Sequence, residues 1–129
     1  MKVGMCGVRG MGSDFLKLFG LHPDVDSVAV ADLDANVRAK ARQFSALSRA
    51  VETLDQLLDT EVDSIGVFTP PWTHADLAIQ ALKAGKHVIS ACPAGLTLDE
   101  LRNLVDAVES TGKVYMIAET SYYYRSSMY

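Results

Sequence analysis

The sequence has 129 residues, the size of one domain. A net charge of −4 with no Lys/Arg cluster argues against nucleic acid as a partner, while 49% hydrophobic and 22% charged residues are ordinary for a globular protein with a core. No apolar stretch approaches the roughly 20 residues of a membrane span, and the run after Lys2 is broken by glycines and Arg9, as in a first strand and unlike a signal peptide.

Apolar runs alternate with amphipathic helical patterns along the chain. Residues 2–8 read as the first strand and 11–20 as a helix with Phe15, Leu16, Leu18 and Phe19 on its apolar side, ended by His22 and Pro23. Residues 27–31 are a second strand. Residues 35–45 are a second helix, with Val37, Ala41 and Phe44 at i, i+4, i+7 and Asp34 as a candidate cap. A short third strand is expected at 49–51, and Thr53 to Gln56 form a capping box. The fourth strand spans 63–69. Thr73 is placed to cap the next helix, which carries Leu77, Ala78, Ala81 and Leu82 and closes at Gly85. The fifth strand spans 86–91. A second capping box, Thr97 to Glu100, opens a helix with Leu98, Leu101, Val105 and Val108 at helical spacing, stopped by Gly112. Residues 113–118 are the sixth strand.

This alternation predicts an α/β fold. Continuous apolar strands joined by helical crossovers give a parallel sheet covered on both faces, and right-handed crossovers make it doubly wound. With a glycine-rich first turn the expected strand order is 3-2-1-4-5-6, the Rossmann arrangement.

Ligands of such sheets bind beyond the carboxyl ends of the strands, where the strand order switches. The first strand runs into Gly7, Val8, Arg9, Gly10, Met11 and Gly12. Gly7 and Gly12 have the spacing of the first and third glycines of a dinucleotide fingerprint; Arg9 stands at the second, with Gly10 beside it. Backbone N–H groups at the following helix N-terminus suit a pyrophosphate, which Arg9 would either crowd or pair with. Asp32 ends the second strand, 20 residues after Gly12. A carboxylate there either accepts both adenosine ribose hydroxyls, favouring NAD over NADP, or serves as a loop aspartate or cap. After the fourth strand come Thr69, Pro70, Pro71, Trp72, Thr73 and His74, a rigid turn in which Trp72 can flank a flat ring and His74 either bonds a ribose or caps and packs. Cys92 and Pro93 follow the fifth strand. Cys92 is a nucleophile only with a base nearby, and none adjoins it in sequence, so a small buried thiol is expected. Glu119 follows the sixth. No His/Cys/acid cluster has ligand spacing, so no metal is expected. The two cysteines, Cys6 and Cys92, form no disulfide framework, which suits a reducing, cytoplasmic setting.

The set Thr69-Pro70-Pro71-Trp72-Thr73-His74, Ala84-Gly85-Lys86-His87-Val88 and Pro93, with Gly7, Gly12 and Asp32, resembles the N-terminal domain of the Gfo/Idh/MocA oxidoreductases, the glucose–fructose oxidoreductase and inositol dehydrogenase family. Its pattern runs roughly T-P-x-x-x-H, A-G-K-H-V, E-K-P. The resemblance implies a Rossmann domain over 1–120 that binds NAD, or less readily NADP. It also implies hydride transfer to or from a sugar, inositol or related polyol held mainly by a second domain, and a homo-oligomer. Residues 121–129 would then begin the connection to that second domain, leaving Tyr122, Tyr123, Tyr124 and Tyr129 exposed; the alternative is a tail packed on its own sheet. Where the family has E-K-P, the chain has Ala91-Cys92-Pro93. The family glutamate usually positions the nicotinamide side and the lysine is usually catalytic, so their absence leaves the catalytic residues unassigned and raises a non-catalytic NAD-binding sensor or degenerate paralogue as an alternative. Residues 115–120 resemble a less common branch that also departs from E-K-P, with Glu119 at the cofactor crevice.

Overall fold

The computed structural model describes residues 1–128, with Tyr123 by its backbone alone. Six parallel strands form its centre: β1 (Lys2–Cys6), β2 (Ser27–Ala31), β3 (Leu47–Val51), β4 (Ser64–Val67), β5 (His87–Ser90) and β6 (Tyr115–Ile117). They lie in the order β3-β2-β1-β4-β5-β6, as the alternating pattern predicts. β1 is the hub: Gly4 pairs with Ala29 on one side and Ile65 on the other.

The helices are α1 (Met11–Leu21), α2 (Ala35–Ala41), α3 (Leu54–Leu58), α4 (His74–Lys83) and α5 (Leu98–Thr111). Strand side chains alternate between two cores. Val3, Met5, Val28 and Val30 join Leu16 of α1 and Ala41 of α2 on one face. Cys6, Ala29, Ala31, Ile65, Val67 and Val88 join Leu57, Ala78, Ala81, Leu82, Leu104 and Ala107 of α3 to α5 on the other. Phe15 and Phe68, ring centroids 4.5 Å apart, extend the first core toward the carboxyl ends of the strands.

Local signals set most element ends. Asp34 caps α2 by accepting the Asn36 N–H at 2.7 Å. Both capping boxes form, Thr53 with Gln56 and Thr97 with Glu100. Gly85 and Gly112 take positive φ at the ends of their helices.

Other expectations are corrected. The second helix stops at Ala41 rather than 45, because the ladder to β2 takes residues from Leu47 onward and Val28 N–H already donates to Ala46 O. Phe44 therefore packs from a turn. Leu18 of α1 faces solvent. On α5 the stripe Leu98, Leu101, Val105 faces outward, and Leu104 and Ala107 are buried instead. The helix has two apolar stripes, and the small Ala107 lets the second approach the Ala78 and Ala81 side of α4. Thr73 precedes α4 but does not cap it; its hydroxyl donates to Pro70 O at 2.7 Å and lies 2.7 Å from Thr69 Oγ1. At the C-terminal end Tyr124 and Met128 are exposed; Tyr129 and the side chain of Tyr123 lie outside the described residues.

Among the described residues, no helix is long and apolar enough to cross a membrane, and no three His, Cys, Asp or Glu side chains are grouped to hold a metal ion.

Candidate functional site: the crevice at the strand carboxyl ends

Backbone hydrogen bonds run on past the strands and gather their loops at one edge of the sheet. Gly7 N–H donates to Ala31 O, Phe68 N–H to Cys6 O, Ala91 N–H to Val67 O and Ala118 N–H to Ser90 O, all at 2.8 to 2.9 Å. β1 and β4, the neighbours across which the strand order switches, therefore open onto a common crevice.

Gly7 turns the chain out of β1 with φ +81, a conformation side chains rarely adopt. A Cβ there would lie 2.6 Å from Phe68 O, and a Cβ on Gly12 would strike the Gly7 carbonyl. These two glycines let β1, α1 and the loop after β4 close on one another. Gly10 differs: its φ is +49, and a Cβ would meet nothing within 4 Å. It is the N-cap residue of α1 and supplies no side-chain cap. The positive end of the helix dipole is thus free of a side-chain cap from its N-cap residue.

Asp32 sits one residue beyond β2, half-buried. Its Oδ2 accepts the Val8 N–H at 3.2 Å and its Oδ1 the Asp34 N–H at 3.0 Å. Each oxygen spends one lone pair on the backbone and keeps capacity for an incoming hydroxyl. Arg38 donates to Asp32 O and Leu33 O and stiffens this loop from behind.

A cavity of about 970 Å³ opens here. Of the residues singled out by sequence, Gly7, Arg9, Asp32, Thr69, Pro70 and Trp72 line it. Gly10 and Arg9 line a smaller adjoining one of about 440 Å³ between α1 and α2. Met11 and Gly12 begin α1 beside them, Met11 exposed and Gly12 buried against Gly7. Sequence reading missed Glu52, Thr53, Leu54, Asp55, Leu77 and Gln80, which also line the larger cavity. The first four follow β3, so collecting residues after every strand would have found them. Leu77 and Gln80 face inward from α4, and the Asp55 carboxylate accepts from the Gln80 amide.

His74 is not available to a ribose. It is 1% exposed, with Nδ1 2.8 Å from Pro93 O and Nε2 2.7 Å from Thr69 O. The ring ties the loop after β4 to the loop after β5. His74→Leu would remove the ring's hydrogen bonding between the two loops and is expected to cost about 1–3 kcal/mol, read as a lower urea midpoint at unchanged slope.

Cys92 corrects a second expectation. It is exposed, not buried, because the Cys92–Pro93 turn lies outside the sheet, and its thiol donates to Glu119 Oε2 at 3.3 Å. An acceptor absent from the neighbouring sequence is supplied by the loop after β6. Desolvation and the adjacent Glu119 carboxylate raise the thiol's pKa. Glu119 is held lower by hydrogen bonds from the Ser121 hydroxyl and N–H and from the thiol. Cys6 ends β1 and is buried, and desolvation pushes it up to about 11. Iodoacetamide should therefore label Cys92 in the folded protein and Cys6 only after unfolding. Glu119→Gln should speed Cys92 labelling near neutral pH, because removing the carboxylate lowers the thiol's pKa and increases the thiolate fraction. Peptide mapping with time checks both.

Residues 1–119 match the family model described as "Oxidoreductase family, NAD-binding Rossmann fold", GFO_IDH_MocA. The chain belongs to the Gfo/Idh/MocA oxidoreductase family. A curated relative, a "Glycosyl hydrolase family 109 protein" from Saccharopolyspora erythraea, is 33% identical over 138 aligned positions, covering 99% of this chain and 30% of that protein. Among solved structures, GenD2 from gentamicin A biosynthesis in complex with NAD superposes with a TM-score of 0.89 at 29% identity, covering 97% of this chain and 36% of that one. Scyllo-inositol dehydrogenase from Lactobacillus casei, with bound NAD(H) and scyllo-inositol, shares the fold with a TM-score of 0.89 at 18% identity, covering 98% and 38%. The chain thus spans about 30% of the length of the curated relative. Membership of the Gfo/Idh/MocA family makes it an NAD-binding Rossmann domain, and the cradle fits such a ligand: glycines pack the loop, Gly10 leaves room at the α1 N-terminus, and Asp32 keeps acceptors beside a cavity.

Proposed function

We propose that this chain is the NAD-binding half of an oxidoreductase that moves hydride to or from a sugar, inositol or related polyol. The observation that carries it is the Asp32 carboxylate, held by two backbone N–H groups at the mouth of the cavity beside the Gly7 to Gly12 turn. When bound, the dinucleotide supplies the hydride acceptor or donor. The chain's own residues would do the rest. Asp32 would accept the adenosine ribose hydroxyls, the α1 N-terminus with Gly10 and Met11 would face the pyrophosphate, and Thr69, Pro70 and Trp72 would line the way from adenosine toward the nicotinamide. Cys92, Pro93 and Glu119 would flank the nicotinamide end, with His74 holding the two loops at their spacing.

NAD is favoured over NADP in this reading. Around the larger cavity stand four carboxylates, Asp32, Asp34, Glu52 and Asp55, against the single guanidinium of Arg9. A 2′-phosphate would add about two charges of the same sign beside Asp32.

The sugar-like substrate rests on the family resemblance and on relatives called glycosyl hydrolase family 109 proteins. In a protein of the relatives' length, residues 1–120 would be the cofactor domain, 121–129 the start of the connection, and the substrate site and subunit contacts would lie largely beyond. A second reading, a non-catalytic NAD-binding sensor or degenerate paralogue, is favoured by Cys92 alone, since a thiol cannot replace the ammonium group of the family lysine. Reduction of NAD by the full-length protein, assayed across inositols, sugars and sugar derivatives, separates the two. Turnover on any of them supports the oxidoreductase, and tight NAD binding without turnover supports the sensor.

A further inference from the structure

Arg9 stands where the fingerprint has its second glycine, yet its guanidinium does not reach over the turn toward a pyrophosphate. It pairs with the Asp34 carboxylate, two residues past Asp32. The pair forms part of the wall shared by the two cavities, since both residues line both. Asp34 is tied to the ribose-reading carboxylate by its own N–H, which donates to Asp32 Oδ1 at 3.0 Å. The guanidinium is therefore joined through Asp34 to the carboxylate read here as the ribose acceptor. Arg38, the other guanidinium nearby, is committed to the Asp32 and Leu33 carbonyls and lines neither cavity.

We infer that Asp34 is a second determinant of cofactor specificity, acting by holding Arg9 away from a 2′-phosphate. The inference rests on the NAD-binding reading above and goes beyond the role of Asp32. Guanidinium groups bind phosphate by paired, charge-assisted hydrogen bonds. Arg9 has the chemistry to accept NADP, and the Asp34 carboxylate occupies it. Rejection of NADP is then twofold: repulsion from Asp32 and a cation already engaged.

The test is Asp34→Asn, with Arg9→Met alone and combined with it. Asparagine caps a helix as well as aspartate does, so the α2 cap formed with the Asn36 N–H is retained. Dissociation constants for NADH and NADPH are measured by nucleotide fluorescence at two salt concentrations. In Asp34→Asn the preference for NADH over NADPH is expected to fall about tenfold, the worth of one charge-assisted contact, with the gain shrinking at high salt. Adding Arg9→Met should abolish the shift. An unchanged preference in Asp34→Asn overturns the inference. A shift that survives in the double variant also overturns it, because the carboxylate would then act by repulsion without Arg9. A wild-type protein that binds neither nucleotide overturns the cofactor reading itself, and this inference falls with it.

Discussion

Asp32→Ala is expected to weaken NADH binding by about 10- to 100-fold, the value of one or two hydrogen bonds to a charged group. The side chain does two jobs. It accepts the Val8 and Asp34 N–H groups, which ties the loop after β1 to the loop after β2, and it keeps acceptor capacity toward the cavity. Alanine removes both, so lost affinity alone would not separate recognition from loop order. Asp32→Asn separates them. Its carbonyl oxygen still accepts one backbone N–H, but the negative charge and the second acceptor are gone. Asparagine should therefore keep thermal stability near the parent while binding NADH less well, and alanine should lose both. Titration beside thermal unfolding reads the two effects independently.

Gly12→Ala is expected to be the most damaging small substitution in the loop. A Cβ there would collide with the Gly7 carbonyl and press on Phe68 Cβ behind it. Neither neighbour is the free end of a side chain, so the turn must spread. The cost is about 3 kcal/mol, at the upper end for overpacking, together with loss of nucleotide binding. Gly10→Ala is the control. Its Cβ would meet nothing, and the penalty is backbone strain at φ +49, ψ −122, about 1–3 kcal/mol. Denaturant midpoints for the two variants should rank Gly10→Ala above Gly12→Ala; a Gly12→Ala midpoint at or above that of Gly10→Ala would mean that the Gly7–Gly12 contact does not hold the loop.

The sheet order was legible because it depends on patterns that survive tertiary packing: period, turn glycines and caps. Asp34, Thr53 and Thr97 behave as their local sequence requires, since a cap is satisfied within four residues. Three features were not legible, and each depends on distant partners. Which stripe of α5 is buried is decided by the small residues of α4, so Leu98 and Val105 end outside although their spacing is sound. Thr73 is drawn from its capping role by Thr69 and the Pro70 carbonyl. Cys92 meets Glu119 27 residues away, because β5 and β6 are neighbours in the sheet. The site shows the same division. Gly7, Gly12 and Asp32 stand out by spacing along one βαβ unit, whereas Gln80 and Leu77 enter the cavity only through the docking of α4. Among the candidates, His74 was legible as a residue and not as a role: its position in the T-P-x-x-x-H segment marks it, but only the fold shows both ring nitrogens facing carbonyls.

The central claim is that the crevice formed by the Gly7 to Gly12 turn and Asp32 is where the dinucleotide binds. Amide chemical shifts of the ¹⁵N-labelled chain during titration with NADH test it most directly. The account predicts saturable shifts concentrated at Val8, Gly10, Met11, Asp32 and Leu33, with the α5 amides still. No shift up to millimolar NADH, or saturable shifts centred elsewhere on the domain, would contradict it.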